Sequence, residues 1–265
     1  MGQNTSIEWT THTFNPWWGC IKVSDGCKFC YAEALSKRYG HSVWGPKNER
    51  RLLSDAHWKQ PLKWNTEADL HKTRYRVFCA SMADVFEEAA PAGQLERLWK
   101  LVALTPSLDW QILTKRPERI AANLPSDWGN GYKNVWLGTS VEDERVVDRI
   151  AHLSRIPAVV RFLSLEPLIG PLSNIPLSGI DWAIVGGESG SNARPINPQW
   201  VLDIREQCKT AKVAFFFKQW GGINKKKAGR QLEGRTYDEL PAIRSCAPVT
   251  NIYRSSPLVE SVAAQ

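Results

Sequence analysis

The sequence lacks any apolar run long enough to cross a membrane, since no window approaches about 18 consecutive uncharged apolar residues. Its first residues also lack the basic start and continuous apolar core of a secretion signal. We therefore expect a cytoplasmic protein with no membrane partner. The composition is 43% hydrophobic and 23% charged, as in ordinary globular proteins and unlike disordered chains. At 265 residues the chain fits one large domain.

Cysteine is scarce outside one short stretch. Of the six cysteines, Cys79, Cys208 and Cys246 are scattered along the chain, and we expect them to be small buried hydrophobic residues. The other three, Cys20, Cys27 and Cys30, lie close together near the start. Because cytosolic thiols stay reduced, a clustered set predicts a metal site rather than disulfides.

A fourth cysteine is missing from this stretch, and its absence leaves two kinds of metal site open. Structural zinc normally takes four protein ligands, and His12 or His41, which flank the stretch, would complete a set of three cysteines and one histidine. A four-iron cluster held by only three thiolates instead keeps one iron open for a substrate or cofactor. The first interpretation gives a nucleic-acid-binding barrel with structural zinc, and the second gives an enzyme.

Short apolar segments alternate with helical patterns along the chain, which predicts parallel strands joined by helices. Counting the strand before the cysteines gives about seven units, so we expect a TIM-like or incomplete (β/α) barrel over residues 1–243, with a doubly wound sheet as the alternative. Residues 41 to about 75 are predicted to be a loop-rich insertion with short helical turns at 55–63. Residues 244–265 show little pattern and are predicted to be an irregular extension.

Polar residues follow the predicted strands, where the carboxyl ends of a parallel sheet form the active face of such folds. The positions concerned are Ser81, Asp84, Ser140, Glu142, Glu166 and Glu188. Each is a candidate for binding a cofactor or substrate, and each has a helix cap or solvated turn as its alternative role. Lys115 and Arg116 also follow a strand and are either an anion-binding pair or a surface pair. The cysteine loop falls on the same rim.

The chain carries a net charge of +7, which favours polyanionic partners. Basic residues concentrate in one late segment, where Lys218, Lys225, Lys226, Lys227 and Arg230 are candidate nucleic-acid contacts. A segment of this kind beside an active rim predicts an electrostatic guide for a nucleic-acid backbone. A solvated tail is the alternative.

The cysteine stretch resembles the radical SAM superfamily, whose usual spacing is CxxxCxxC with an aromatic residue before the last cysteine. Cys27 to Cys30 reproduces the second half, with Phe29 as the aromatic, whereas six residues separate Cys20 from Cys27. Residues 14–33, together with the segments 186–190 and 217–221, resemble the phage Gp37/Gp68 family, a domain of unknown function. That resemblance covers roughly residues 5–241 and implies a distant similarity to spore photoproduct lyase.

This resemblance implies a [4Fe-4S] cluster on Cys20, Cys27 and Cys30 and S-adenosylmethionine as cofactor, with Phe29 beside the adenine. By their positions, Ser81 and Asp84 would hold the amino group of the methionine moiety. Ser140, Glu142 and Glu166 would meet ribose hydroxyls or substrate, and Glu188 lies on the same rim. The implied activity is generation of a 5′-deoxyadenosyl radical with an external electron donor. We expect a nucleic acid or nucleotide substrate, in repair or modification, and the sequence identifies no protein partner.

Overall fold

The structure is a computed structural model that describes residues 3–242, without the side chains of Lys225 and Lys226. Its strands, in chain order, are β1 (His12–Thr13), β2 (Trp17–Trp18), β3 (Arg51–Leu52), β4 (Tyr75–Cys79), β5 (Leu108–Thr114), β6 (Val135–Ser140), β7 (Val160–Leu165), β8 (Trp182–Gly186) and β9 (Ala214–Gln219). Its α-helices are α1 (Tyr31–Arg38), α2 (Asp55–Trp58), α3 (Gln60–Leu70), α4 (Gln94–Leu104), α5 (Arg149–Ser154), α6 (Pro198–Ala211) and α7 (Lys225–Ala228).

Seven of the strands form one parallel sheet in the order β1-β4-β5-β6-β7-β8-β9. The sheet curls into a half-barrel, which confirms the predicted incomplete barrel. A doubly wound sheet would reverse its strand order at a switch point. Here the order follows the chain throughout, so that alternative is wrong. The strands β2 and β3 form a separate antiparallel pair beside the main sheet.

Two apolar layers lie on the two faces of the sheet, because successive side chains of a strand point to opposite faces. The larger layer includes Val77, Trp110, Leu137 and Leu163, and it packs against the helices. The concave face is lined mainly by aromatic residues, namely Trp9, Phe78, Trp136, Phe162, Trp182 and Phe216. The strands are therefore buried on both sides, as their mainly apolar sequences predict.

The N-terminal segment differs from its prediction as a strand. Residues 7–10 form a turn, and only His12–Thr13 joins the sheet, beside β4. The reason is the burial of Trp9, whose ring centroid lies 4.6 Å from that of Phe78 and 6.1 Å from that of Trp182. Trp9 thereby fills the interior between β4 and β8, and this packing outweighs the β propensity of the segment.

The insertion at 41–75 holds more helix than predicted, because α3 continues to Leu70. Pro61 stands in its first turn, where a missing N–H costs nothing, and Trp64 and Ala68 follow at helical spacing on the buried face. None of the described helices is both long and apolar enough to span a membrane. The predicted extension 244–265, with Cys246, lies outside the described residues.

Candidate metal and cofactor site

The cysteine loop begins directly after β2 at Gly19, where there is no room for a side chain. Gly19 has φ +120° and donates its N–H to the Met82 carbonyl at 3.0 Å. A Cβ atom there would lie 2.3 Å from the carbonyl oxygen of Val43. Only glycine combines this conformation with such a close approach. The chain is thus fixed against the end of β4 immediately before Cys20.

The three cysteines lie on different parts of the loop but reach one cavity. Cys20 follows Gly19, Cys27 ends a short 3-10 turn, and Cys30 directly precedes α1. All three are half-buried free thiols, and all three line a cavity of about 520 Å³ at the carboxyl ends of the strands. The loop therefore occupies the rim that the sequence predicts for it.

A cation lies beside one of the loop thiols, and a hydroxyl group lies beside another. The Arg116 guanidinium lies 3.8 Å from the Cys20 sulfur, and the Ser24 hydroxyl lies 3.9 Å from the Cys27 sulfur. Burial, followed by the charges of Asp84 and Glu87, raises the pKa of Cys20 to about 12. This thiol consequently has to lose a proton when a metal binds.

Neither histidine that could complete the alternative zinc site, His12 or His41, lines the cavity. Within residues 3–242, no three His, Cys, Asp or Glu side chains converge closely enough to hold a single metal ion. The His12 ring stacks on Trp64 at 4.5 Å, and its Nδ1 accepts from the Asn4 N–H at 3.1 Å. His41 lies edge-on to Trp18 at 5.8 Å. Both imidazoles thus have contacts of their own away from the cavity.

Most of the predicted rim residues line the cavity, but one does not. Phe29, Ser81, Asp84, Ser140, Glu166 and Glu188 belong to its wall. Glu142 lies beneath the cysteine loop, where its carboxylate contacts Lys115 at 3.0 Å and Arg149 at 2.9 Å. Burial opposes ionisation of Glu142, yet these two cations hold its pKa below the ordinary value. Its position is that of an internal anchor.

Asp84 lines the cavity with both carboxylate oxygens already engaged. One oxygen accepts from the Phe86 N–H at 3.1 Å and the Thr114 hydroxyl at 2.7 Å. The other accepts from the Lys115 N–H at 2.9 Å and from Arg116 at 3.2 Å. A carboxylate offers about four such positions. Asp84 is therefore occupied in joining β4 to β5, and its predicted role toward an amino group has no free acceptor here.

Two ion pairs stand on the wall opposite β4. Glu166 accepts from the Lys218 ammonium at 2.7 and 2.8 Å, and Glu188 accepts from Arg194 at 2.6 Å. Arg194 also lies 5.3 Å from the centre of the Phe29 ring and so covers one side of it. The wall thus presents paired charges rather than isolated ones.

The predicted basic segment divides into two parts. Lys218 faces the cavity, and Arg230 turns inward to donate to Asp238 and to the Phe217 carbonyl. Downstream of the cavity-lining Ile223, which is 81% exposed, α7 carries Lys225, Lys226 and Lys227. Lys218 and Arg230 thus pair with other residues of the fold. The three lysines of α7 remain the candidate nucleic-acid contacts.

Lys115 and Arg116 are not a surface pair, because Lys115 pairs with the buried Glu142 and Arg116 donates to the Ile21 carbonyl of the cysteine loop. Sequence reasoning missed four charged residues around the site. Arg149 pairs with Glu142, Arg194 pairs with Glu188, and Arg50 and Glu87 pair with each other. Arg50 and Glu87 are both nearly inaccessible and form a bidentate pair at 2.7 and 3.0 Å. The only signal in the sequence is a charged residue close to an apolar segment, which is too general to assign a partner.

A larger cavity, of about 880 Å³, lies elsewhere, at the amino-terminal ends of β8 and β9. It is lined by residues of α6 and by the segment 233–242 and includes none of the three loop cysteines. Its position is opposite to the functional rim of a parallel barrel.

The fold and site define an α/β protein whose incomplete parallel (β/α) barrel carries a three-cysteine loop on its carboxyl rim. More particularly, the chain belongs to the family DUF5131, described as proteins of unknown function, whose profile matches residues 4–241. That profile does not carry the name Gp37/Gp68, so this part of the resemblance is not confirmed. No curated protein matches the chain.

Several solved structures of spore photoproduct lyase resemble the chain at low identity. A double mutant with bound AdoMet and dinucleoside spore photoproduct is 12% identical, with a TM-score of 0.46 over 78% of this chain and 65% of that one. The enzyme complexed with dinucleoside spore photoproduct is 11% identical, with a TM-score of 0.48 over 71% of this chain and 58% of that one. The chain thus spans about three fifths of the length of these structures.

Proposed function

We propose that this protein is an iron-sulfur, S-adenosylmethionine-dependent radical enzyme that acts on a nucleic acid or nucleotide, in repair or modification. The observation that carries the proposal is that Cys20, Cys27 and Cys30 all line one cavity on the carboxyl rim of the barrel. Three thiolates leave one iron of a four-iron cluster open for the cofactor. When bound, the cluster and cofactor would supply a 5′-deoxyadenosyl radical that abstracts hydrogen from the substrate.

The protein's own contribution in this proposal is to bind, orient and exclude water. Phe29 lies on the loop beside the last cysteine and offers an aromatic face to the adenine, with Arg194 holding it in place. Ser81 and Ser140 bring hydroxyl groups to the cavity at the ends of β4 and β6, and the Ser81 hydroxyl also exchanges hydrogen bonds with Asn15. The pair Glu166–Lys218 offers both charges to the polar parts of a cofactor or substrate.

Metal and product analysis tests the cofactor part of the proposal. Anaerobically purified protein is expected to contain iron and sulfide and, with a strong reductant, to form 5′-deoxyadenosine from S-adenosylmethionine. Replacing Cys20, Cys27 or Cys30 with Ala should abolish the iron, whereas Cys79→Ala and Cys208→Ala should retain it. Stoichiometric zinc without iron, together with no deoxyadenosine, would refute the proposal and favour the zinc-binding barrel.

The nucleic-acid part rests on the three lysines of α7, which starts two residues after the cavity-lining Ile223. Charge reversal of Lys225, Lys226 and Lys227 to Glu should weaken binding of a labelled oligonucleotide. The slope of log affinity against log salt should fall by about 0.7 to 0.9 for each phosphate that is no longer neutralised. Reversal of Lys209 and Lys212, which line the other cavity, is the control. Unchanged affinity in the α7 variant would show that these lysines do not contact nucleic acid.

A further inference from the structure

The residue that follows Cys20 is held at both of its backbone polar groups. The Ile21 N–H donates to the Glu87 carboxylate at 3.1 Å, and the Ile21 carbonyl accepts from the Arg116 guanidinium at 2.7 Å. Glu87 and Arg116 are both buried. A peptide unit fixed by two buried charged groups cannot rotate freely, so the backbone direction at Cys20 is set by residues outside the cysteine loop.

The same guanidinium faces the sulfur of Cys20. Its Nη1 lies 3.8 Å from the sulfur and 3.2 Å from the Asp84 carboxylate. Its Nε lies 3.4 Å from Glu88, which is an ion-pair contact without a hydrogen bond. The Arg116 side chain is only 2% exposed. Arg116 is therefore a buried, oriented cation whose two Nη atoms contact the first cysteine and its neighbour.

The opposite end of the loop is anchored independently. The Ser24 hydroxyl donates to Glu142 at 3.3 Å, and Asp25 pairs with Arg145 at 2.7 Å. A Cβ atom at Gly26 would lie 2.4 Å from the Glu142 side chain, so the loop rests directly on that carboxylate. Loss of Arg116 would therefore release the Cys20 end of the loop and leave the Cys27 end in place.

We infer that Arg116 is a positioning residue that orients Cys20 as a cluster ligand and sets the electrostatic environment of the cluster. The inference rests on the proposed function, because it requires a cluster to bind. Reduction adds negative charge to an iron-sulfur cluster, and cations and hydrogen bonds at its sulfurs favour the reduced state. A fixed guanidinium beside Cys20 should thus make reduction of the cluster easier.

Variants at Arg116 separate the effect of its positive charge from the effect of its planar set of N–H donors. In R116Q, the midpoint potential should shift to more negative values, and iron binding should weaken about 10- to 100-fold, as is usual when the partner of a ligand is removed. R116K keeps the positive charge but cannot reproduce the planar fork. Its potential should remain close to that of the wild type, while iron dissociates faster.

Arg119→Gln is the matched control, because Arg119 lies on the same segment and donates to the Phe86 carbonyl without touching the cysteine loop. Its iron content and potential should equal those of the wild type. R116Q leaves the Asp84 carboxylate buried without its cation. If that variant does not fold, as judged by circular dichroism, D84N/R116Q removes both charges and replaces it in the comparison.

The measurements are iron and sulfide per chain after anaerobic reconstitution, the rate of iron release to a chelator, and a redox titration followed by electron paramagnetic resonance. A folded R116Q or D84N/R116Q protein with wild-type iron content and potential would overturn the inference and leave the proposed function intact. A wild-type protein that takes up no iron would refute the proposed function itself, and the role of Arg116 with it.

Discussion

The bidentate pair between Arg50 and Glu87 is expected to be a main determinant of stability around the site. The two side chains are 2% and 0% exposed. Removing one partner of a buried pair costs about 3–5 kcal/mol, because the remaining charge stays buried. In Glu87→Ala, Arg50 would keep its hydrogen bonds to the carbonyls of Val43, Gly45 and Asn48. We therefore expect a loss near the lower limit, about 3 kcal/mol in the free energy of unfolding.

Urea denaturation followed by tryptophan fluorescence measures this loss, and thermal denaturation should show a fall of about 6–12 °C. Lys209→Ala is the control, since its pair with Glu206 is 3.6 Å long and more than half exposed on both sides. An exposed pair of this kind contributes at most about 1 kcal/mol. If Glu87→Ala and Lys209→Ala destabilised the protein equally, the assignment of Arg50–Glu87 as a buried anchor would be refuted.

Two further predictions concern the barrel itself. Burial lowers the pKa of His12 to about 4. Below pH 6.5 the unfolded chain therefore binds a proton at His12 more readily than the folded chain does. The free energy of unfolding should fall by up to about 3 kcal/mol as the pH drops from about 6.5 to 4. His12→Phe keeps the stacking on Trp64 and should remove this part of the acid sensitivity. Urea denaturation at several pH values measures the effect, and an unchanged pH profile would contradict the burial argument. Gly138→Ala would place a Cβ atom 2.3 Å from the Phe162 ring and should cost about 1–3 kcal/mol. The double variant G138A/F162L should recover part of that loss in the same assay, and no recovery would show that the ring is not the obstacle.

The half-barrel can be predicted from the sequence, because period and composition are local signals. The strands from β4 to β9 are mainly apolar, and polar residues stand at or just after their ends, so the strand count and the common rim follow without knowledge of any contact. The N-terminal segment is less predictable. A local preference for strand competes there with the packing of Trp9 on Phe78, which is distant in sequence, and the packing prevails.

The roles of the rim carboxylates are beyond the reach of the sequence for a similar reason. Asp84, Glu142, Glu166 and Glu188 look equivalent in sequence, since each follows a strand. What distinguishes them is the cation that folding brings to each. Arg116 reaches Asp84 from 32 residues away, and Lys218 reaches Glu166 from 52 residues away. Ion pairs between residues so far apart in sequence leave no local pattern. The positions of the rim carboxylates can therefore be predicted, whereas their cationic partners cannot.

The six residues between Cys20 and Cys27 are the main departure from the usual radical SAM spacing, and their hydrogen bonds provide a physical reason for their number. A shorter connection would have to forgo either the Ile21 hydrogen bonds at one end or the Ser24 and Asp25 interactions at the other. With both present, the loop is held at one end by the buried Glu87 and Arg116, which follow β4 and β5, and at the other end by Glu142 and Arg145. A longer flexible loop would hold its cysteines less firmly, because more backbone conformations have to be excluded when the ligands are positioned. The extra residues of this loop make hydrogen bonds that restrict their conformations. The wide spacing is therefore compatible with three cysteines held at one cavity.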